Sequence, residues 1–406
     1  MDDVLIVGAG WAGLTAAAFA LEQGAKIRVI AQGIGSPAIT PGWISVLDGA
    51  QGDLHTALAD LVAHFPDHPY ALAGIESVTA ALQTFEAFSA KIGLPYAGSL
   101  AHNHRLISPL GGLKSPAYVP PGYRASAGER PLMVGFRGWR DYYPALSGEN
   151  HTLIDLDVLN RQWDAPPTEI ARSFDYPEVR AHAADQVCAH LNRLKGVSAV
   201  GFPAVLGLSH PSEVIADLSQ RIGLPVFEVA TLPPSVPGTR LFNLSRRYLL
   251  DHKVRLQIGH PVIRGLIEGD RVIGVEVAAA GKPERFRAAA VILATGGLYG
   301  GGLFSDDRGQ VWEPIFGLPV KHEPDRSRWF EGRMMSPASH PIHQAGISVN
   351  HQMQPLSTQG EVFAAGLYAA GHVIAYPTGT PSPLETYEGV ALATAYRAVQ
   401  CALGKT

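Results

Sequence analysis

The sequence predicts an α/β protein of two domains, in which a discontinuous Rossmann-like domain carries an inserted α/β domain. Three separated pieces predict this fold: a strand, a glycine-rich turn and a helix at residues 4–23, a buried strand with a glycine turn at 291–297, and a strand and helix at 366–393. Because 406 residues exceed what one simple core usually holds, we expect a second domain between these pieces.

The expected domain boundaries follow from the positions of the three pieces. Residues 1–52, 245–300 and 345–406 are assigned to the first domain, and residues 53–244 and 301–344 to the inserted substrate or interaction domain. The middle of the chain carries periodic elements of its own. The predicted helices lie at 53–65, 76–92, 179–195 and 212–222, and the predicted strands at 131–136, 197–206 and within 254–293.

Composition excludes several classes of protein. The net charge is −4, with 32 basic and 36 acidic residues and no basic block, which gives no sign of nucleic-acid binding. The two cysteines cannot form a disulfide framework, a zinc site or an iron–sulfur site, and no histidine pair has metal-ligand spacing. The apolar stretch 4–20 is too short and too interrupted by glycine to cross a bilayer or to act as a signal peptide. We therefore expect a cytoplasmic protein, with docking to a membrane complex left open.

The first element is a strand at residues 4–7, a Gly8-x-Gly10-x-x-Gly13 turn and a helix to residue 23. In this fingerprint the first glycine makes the turn, the second lets backbone approach a pyrophosphate, and the third lets helix and strand pack closely. The anion then lies on the helix N-terminus, where unpaired N–H groups point at it. The predicted cofactor contacts of this element are Gly8, Gly10, Trp11, Ala12 and Gly13.

The second strand, at residues 26–30, lacks the acidic residue that usually binds the ribose of a dinucleotide. It ends instead in Ala31 and Gln32. Gln32 is either a neutral hydrogen-bonding partner of the ribose or an ordinary turn residue. The adenosine half of the cofactor therefore stays open at this point.

Two later elements favour a flavin over a nicotinamide. The strand at 291–293 ends in Ala294-Thr295-Gly296, whose small side chains let a cofactor pass close to backbone. The strand at 366–370 runs into Gly371 and His372, and a helix follows whose N-terminus would favour a reduced, anionic flavin. The predicted contacts of that helix are Gly389, Val390 and Ala391. A single Rossmann domain for a nicotinamide would not need these late elements.

Three residues are candidates for catalysis or substrate contact. Arg240, in a proline-rich loop that also carries Ser235, could bind a phosphate or carboxylate through two hydrogen bonds, and so could Arg328. A solvated surface position is an equal alternative for each arginine. His372, directly after the cofactor strand, is a candidate proton donor or flavin contact. The serines lack the context of a nucleophile elbow, which disfavours a hydrolase.

Several stretches, in this order along the chain, resemble the B subunit of the anaerobic glycerol-3-phosphate dehydrogenases. They are GAGWAGL (8–14), HPY (68–70), SPLGGLKS (108–115), LDVLNRQWDAPPTEIAR (156–172), TLPPSVPGTRL (231–241), LATGGLYGGGL (293–303), EPIFGLPV (313–320) and RSRWFEG (326–332). The glycine-rich, cysteine-containing C-terminal stretch associated with that family is PSPLETYEGV in this chain, at residues 381–390. Substrate, redox potential or both could therefore differ from those of the relatives.

The resemblance implies a flavin subunit that works beside a catalytic FAD subunit and an iron–sulfur subunit attached to the membrane. Such a complex oxidises sn-glycerol 3-phosphate to dihydroxyacetone phosphate and passes electrons to quinone, so this chain would lie on the inner face of the membrane through its partners. The family is usually described with FMN, whereas the fingerprint favours FAD, which we expect. The alternatives are a non-catalytic electron-transfer or scaffold subunit and a flavin dehydrogenase of another hydroxy acid.

Overall fold

The helices and strands are described by a computed structural model of residues 1–124, 130–147, 152–159, 165–333, 336 and 339–405. The helices are α1 (Trp11–Glu22), α2 (Leu54–His64), α3 (Pro69–Ala73), α4 (Ile75–Lys91), α5 (Pro167–Ser173), α6 (Pro177–Leu191), α7 (Pro211–Ile222), α8 (Val236–Asp251) and α9 (Tyr387–Ala402). The strands of the first half are β1 (Asp2–Val7), β2 (Ile27–Ala31), β3 (Ala97–Gly98), β4 (Leu106–Ile107), β5 (Leu113–Lys114), β6 (Tyr118–Val119), β7 (Pro131–Phe136), β8 (Thr152–Leu156) and β9 (Ala199–Pro203). Those of the second half are β10 (Val226–Val229), β11 (Arg255–Ile258), β12 (Val262–Glu268), β13 (Arg271–Val277), β14 (Glu284–Leu293), β15 (Phe304–Ser305), β16 (Val311–Trp312), β17 (Val320–Lys321), β18 (Gly346–Ile347) and β19 (Leu367–Ala369).

A parallel sheet forms the centre of the molecule. The strands β11, β2, β1, β14 and β19 lie side by side in that order. Their last residues are level, because Val7 is in register with Leu293, Leu293 with Ala369, and Ala31 with Ile258. The carboxyl ends therefore meet along one edge, where ligands bind in folds of this kind.

Strand β14 belongs to two arrangements. Its first residues pair with β13 in antiparallel fashion, with Val277 opposite Glu284, and β13 pairs with β12. Its last residues, Val291–Leu293, lie in the parallel sheet between β1 and β19. The strands predicted over residues 254–293 are thus confirmed as β11 to β14.

The larger core surrounds helix α1. This helix is apolar on every side and buried from Trp11 to Ala20, because the sheet covers one face and helix α9 another. The Phe19 ring meets Tyr396 of α9 edge-on at 5.6 Å between centroids. Helix α4 packs on α9 and contributes Phe85 to the same core. Each buried side chain of this size stabilises the fold by roughly 1.5–3 kcal/mol.

A smaller parallel sheet, in the order β10-β9-β7-β8, has its own core. Helices α5, α6 and α7 contribute apolar side chains to it, including Ile170, Val187 and Leu218, which pack with Val134 and Phe202 of the strands. The predicted strand 131–136 and the predicted helices near 179–195 and 212–222 are confirmed in this unit. Residues 160–164 of the stretch 156–172 lie outside the described residues.

The division of the chain into domains stays a proposal, and the packing favours a revised boundary. Helices α2 and α4, which the sequence assigned to the inserted domain, bury Leu58 and Phe85 in the larger core. Ile315 and Ile342, from the second inserted range, lie in that core as well. The separate core is confined to residues between Leu132 and Val236. We therefore propose that the smaller unit consists mainly of residues 130–236.

A buried ion pair joins the smaller sheet to helix α8. Arg240 donates from Nη1 and Nη2 to the two carboxylate oxygens of Glu228, at 2.7 and 2.8 Å, and from Nε to the Gly207 carbonyl at 2.7 Å. The Leu206 N–H donates to Glu228 Oε1 at 2.7 Å. Both charged side chains are at most 1% exposed. Because water does not reach either side chain, each charge is stabilised by the other and by these hydrogen bonds.

Replacing Arg240 by methionine should destabilise the fold by about 3–5 kcal/mol, because it leaves the Glu228 carboxylate buried without its partner. Urea unfolding followed by circular dichroism measures the loss. The matched control is Arg285→Met, since Arg285 also pairs with a glutamate, at 3.2 Å, but is 66% exposed. That exposed pair should cost under about 1 kcal/mol. Equal costs for the two variants would contradict the importance of the buried pair.

Candidate functional site

A cavity of about 310 Å³ lies at the carboxyl ends of strands β1, β2, β14 and β19. It brings together most of the cofactor contacts predicted from sequence, although these lie in five separate segments. The predicted residues that line it are Gly8, Gly10, Trp11, Ala12, Gln32, Ala294, Thr295, Gly296, Gly371, His372 and Ala391. We refer to it as the cofactor cavity.

The fingerprint glycines have different geometric roles. A Cβ on Gly8, whose φ is +116°, would lie 2.2 Å from the Ala294 carbonyl oxygen, and one on Gly13 would lie 2.0 Å from the Gly8 carbonyl oxygen. Both positions therefore exclude any side chain, because strand β1, helix α1 and the end of β14 approach each other there. A Cβ on Gly10 would make only ordinary contacts with Ser36, at 3.4 Å from Oγ and 3.8 Å from the backbone nitrogen, at a position that lines the cavity. Gly13 serves packing and does not line the cavity, whereas Gly10 keeps space free.

The N-terminus of helix α1 faces the cofactor cavity through Trp11 and Ala12. No acidic residue lies in its first turn, so nothing in that turn offsets its partial positive charge. Trp11 is buried, and its indole Nε1–H donates to Thr40 Oγ1 at 3.0 Å, which fixes the ring beside the cavity. Free N–H groups at such an end are suited to a pyrophosphate. Gln32 lines the cavity where the fingerprint usually has a carboxylate, and its side chain is exposed.

His372 is held as a neutral imidazole. Burial lowers its pKa to about 3. Its ring stacks on Tyr387, at 3.8 Å between centroids and 22° between planes. The Nε2 atom is shielded from solvent and has no hydrogen-bond partner among the described residues. Both parts of the prediction, the proton donor and the flavin contact, stay proposals: with this pKa the ring is neutral near pH 7, so any proton that it donates comes from its single ring N–H.

Thr295 offers a second unsatisfied polar atom. Its Oγ1 is buried and lacks a partner among the residues described. A buried hydroxyl without a hydrogen bond costs about 1–3 kcal/mol, so a bound molecule that supplies a partner is favoured. Thr295 Oγ1 and His372 Nε2 both belong to residues that line the cofactor cavity. A polar cofactor therefore fits the chemistry of this site.

Two predicted contacts on helix α9 lie in the packing instead. A Cβ on Gly389 would be 2.1 Å from the Tyr70 hydroxyl, and the Gly389 N–H donates to the Ser45 carbonyl at 3.0 Å. Val390 is fully buried in the larger core. Neither residue lines the cofactor cavity, whereas Ala391 and Tyr387 do. The small residue at 389 lets the helix approach the chain at Ser45.

Both predicted arginine contacts lie elsewhere. Arg240 has its guanidinium engaged by Glu228 and Gly207, so its assignment to substrate is corrected to a structural role. Arg328 is exposed at the end of a short 3₁₀ helix and lines a separate cavity of about 690 Å³. Within the described part of the chain, that cavity has no lining residue in common with the cofactor cavity.

A second cavity, of about 380 Å³, adjoins the first. The two share Gly300, His372 and Tyr387 as lining residues. Its apolar wall consists of Ile39, Pro41, Trp43, Leu298, Tyr299, Ile342, Ala345, Pro383 and Leu384. Its polar wall includes Asp48, Lys114, His343 and Glu388. A molecule in this second cavity would therefore lie next to a molecule in the cofactor cavity.

Glu388 is a candidate functional residue that the sequence patterns did not single out. Its carboxylate is 3% exposed and accepts a hydrogen bond from the Ser45 N–H at 3.1 Å. Burial raises the pKa of Glu388 to about 7, and the nearby Asp48 adds to the rise. In the sequence, the feature that could have indicated this role is that Glu388 directly precedes the apolar run Gly-Val-Ala-Leu-Ala at residues 389–393. A carboxyl that titrates near neutrality beside a cavity is typical of functional sites.

Metal ligands and membrane-crossing helices are both missing from the described ranges. Those ranges contain no group of three or more histidine, cysteine, aspartate or glutamate side chains arranged to hold a metal ion. None of the described helices is long and apolar enough to cross a membrane.

The chain is similar to known flavoproteins over most of its length. The FAD-binding domain family matches residues 3–304 and 301–385. The B subunit of the anaerobic glycerol-3-phosphate dehydrogenase of Pectobacterium atrosepticum is 32% identical over 406 aligned residues, which cover 92% of each chain. The protein of the same name from Glaesserella parasuis is 30% identical, with 92% of each chain covered. The family match identifies the cofactor as FAD rather than the alternative, FMN.

One solved structure supports the fold. A 3-ketosteroid Δ1-dehydrogenase from Sterolibacterium denitrificans superposes with a TM-score of 0.52, covering 100% of both chains at 15% sequence identity. At this identity the likeness concerns the fold alone. It agrees with the α/β class predicted from sequence.

Gly10 and Gly13 should respond differently to replacement by alanine. Gly10→Ala should leave the free energy of unfolding nearly unchanged, since its Cβ meets only one side-chain atom, yet weaken FAD binding by about tenfold or more by filling space beside the helix N-terminus. Gly13→Ala should destabilise the protein, because its Cβ overlaps the Gly8 carbonyl. Urea unfolding of the apoprotein and FAD titration measure the two effects. Unchanged FAD affinity in stable Gly10→Ala would contradict the assignment.

Glu388 should make stability depend on pH. Its carboxyl pKa is raised from about 4.5 to about 7, so the folded state holds the proton more tightly than the unfolded state. The free energy of unfolding should therefore fall by about 3 kcal/mol as pH rises through this range, and Glu388→Gln should remove that part of the fall. Urea unfolding at several pH values measures it. Coincident profiles for wild type and variant would show that Glu388 does not titrate there.

Proposed function

The chain belongs to the FAD-binding domain family and to the family of the B subunit of anaerobic glycerol-3-phosphate dehydrogenase, and on this premise we propose that it is the FAD-dependent redox subunit of such a dehydrogenase. The proposed complex oxidises sn-glycerol 3-phosphate to dihydroxyacetone phosphate. Electrons then pass to quinone through an iron–sulfur partner subunit. A separate catalytic FAD subunit is the other proposed partner.

The junction of the two cavities carries this proposal. A redox subunit must hold its flavin where a second molecule can reach it. The shared residues Gly300, His372 and Tyr387 place the second cavity directly beside the cofactor cavity. A structural dinucleotide site would need only the first of these cavities.

Different residues of the cofactor cavity would bind different parts of FAD. We assign the pyrophosphate to the N–H groups at the start of helix α1, with Gly10 keeping the approach open. Thr295 Oγ1 and His372 Nε2 supply hydrogen-bonding groups that lack partners among the described residues. Bound FAD supplies the capacity to accept a hydride and to release single electrons. The neutral state of His372 adds no charge beside the cofactor.

The need for partners follows from the chain's own residues. Two cysteines cannot hold an iron–sulfur cluster, so any cluster in the electron path belongs to another polypeptide. We place the chain on the inner face of the cell membrane, peripherally and through those partners.

A second candidate function is an electron-transfer or scaffold subunit without substrate turnover of its own. One observation favours it over direct oxidation of a phosphorylated polyol. Lys114 is the only lysine or arginine among the described residues lining the second cavity, and Asp48 already pairs with it at 2.8 Å. A dianionic phosphate is usually bound by several free donors or by a bidentate arginine. The third candidate, a flavin dehydrogenase for another hydroxy acid, meets the same shortage of cationic donors.

Anaerobic mixing with sn-glycerol 3-phosphate tests the proposed function. We expect the flavin of the assembled complex to bleach and the flavin of the isolated chain to bleach slowly or not at all. A complex assembled with Gly10→Ala, after dialysis that lowers the flavin content of this subunit, shows how much of the bleaching belongs to this chain. Glycerol serves as the substrate control. No bleaching of this chain's flavin, alone or with partners, would refute the redox role.

A further inference from the structure

We propose that the second cavity binds an uncharged, largely apolar molecule with a carbonyl or hydroxyl oxygen, and that it does not bind a phosphorylated one. The proposal rests on the proposed function in one respect, namely that FAD occupies the adjoining cavity. It concerns the class of molecule that meets the cofactor within this chain. Its consequence is that the phosphate-binding site of the complex lies on another subunit.

Apolar side chains line the second cavity both in its interior and at its mouth. Trp43 and Ile342 are buried within it, at 5% and 4% exposure. Ile39, Tyr299 and Leu384 are 55%, 73% and 53% exposed and also line it. Large apolar side chains at the rim of a cavity are costly in water, and they are typical of sites for apolar ligands.

The hairpin formed by β4 and β5 contributes to the second cavity and also carries two exposed apolar side chains outside its lining. Ser108, Pro109 and Lys114 of the hairpin line the cavity. In the same hairpin Leu110 and Leu113 are 59% and 61% exposed. Two exposed leucines within four residues are unusual on a surface that meets only water. An apolar ligand entering at this mouth would cover part of that surface.

The charges in the second cavity disfavour an anion. Asp48 Oδ2 pairs with Lys114 at 2.8 Å, and Asp48 Oδ1 accepts from the Ser115 N–H at 2.6 Å, so the carboxylate is fixed beside the lysine. Glu388 adds a second carboxyl to the same wall. A phosphate dianion would thus meet an ion pair in which Asp48 offsets the charge of Lys114, and the carboxyl of Glu388. Desolvating it there would cost more than these contacts return.

The polar groups that remain suit a neutral oxygen. His343 lines the cavity, and burial lowers its pKa, which favours the neutral ring. Its Nε2 lies 3.0 Å from the Tyr299 hydroxyl and its Nδ1 lies 3.4 Å from Ser339 Oγ, so the ring holds the Tyr299 hydroxyl beside the cavity. Glu388 is partly protonated near pH 7, so it can donate a hydrogen bond to a carbonyl. Such neutral donors and acceptors bind carbonyl and hydroxyl groups without a charged partner.

Equilibrium dialysis of the flavin-loaded full-length chain tests the proposal. Ubiquinone-1 is the uncharged probe, since it is a ring diketone with a short apolar tail. Inorganic phosphate and sn-glycerol 3-phosphate are the anionic probes. We expect saturable binding of ubiquinone-1, with no measurable binding of either anion and no displacement by them.

Matched variants locate the binding. Leu384→Asp puts a charge on the apolar rim and should weaken ubiquinone-1 binding by about tenfold or more. Ile263→Asp is its control, because Ile263 is 45% exposed and does not line the cavity. Asp48→Asn frees Lys114 while leaving an acceptor for the Ser115 N–H, and it should produce phosphate binding that the wild type lacks.

Two results would overturn the proposal. One is binding of sn-glycerol 3-phosphate to the wild type that Lys114→Ala abolishes. The other is ubiquinone-1 binding that is absent, or equal in Leu384→Asp and Ile263→Asp. The absorbance spectrum before dialysis separates this failure from that of the proposed function: a chain without bound flavin refutes the redox role, whereas a flavin-loaded chain that fails these tests refutes only the ligand class.

Discussion

The close crossing of strand β1 and helix α1 is the constraint on which the cofactor cavity depends. The Ala294 carbonyl passes over Gly8, and the Gly8 carbonyl passes over Gly13, at distances that leave no room for a Cβ. These contacts bring the ends of β1 and β14 against the N-terminus of α1. Helix α1 then lies so deep that every face must be apolar, and α9 and the sheet supply its partners. These backbone contacts thus fix the position of the cavity, and they require apolar side chains on the helix beside it.

The sequence was sufficient for the features that depend on local pattern. A glycine fingerprint between a strand and a helix has one common structural solution, so the sequence was enough to predict that residues from Gly8 to Ala12 line one cavity. The strand ends at Ala294 and Gly371 were readable for the same reason. Gly389 was not, because the close approach that requires a glycine there comes from Tyr70, more than 300 positions earlier in the chain. Arg240 was misread because nothing local reveals that Glu228 and Gly207 will surround its guanidinium.

The second cavity lay beyond sequence reasoning for a physical reason. Its wall is assembled from His372 and the segments 39–48, 108–114, 297–300, 342–345 and 383–388, which the fold alone brings together. Two of these segments lie in stretches that indicated the family, but no segment by itself indicates a ligand. The raised pKa of Glu388 is equally non-local, since it arises from burial of the carboxyl and from Asp48, and the hydrogen bond from the Ser45 N–H only partly opposes it. A site formed by residues that are distant in sequence can be recognised only in the folded structure. This is why the family and the cofactor followed from pattern, and the class of ligand did not.

The stacked rings of His372 and Tyr387 form a partition common to both cavities. If a molecule in one cavity shifts these rings, the affinity of the other cavity for its own occupant must change. Thermodynamic linkage requires that change to be the same factor in both directions. Two aromatic side chains are then the contact through which the occupants of the two cavities would affect each other.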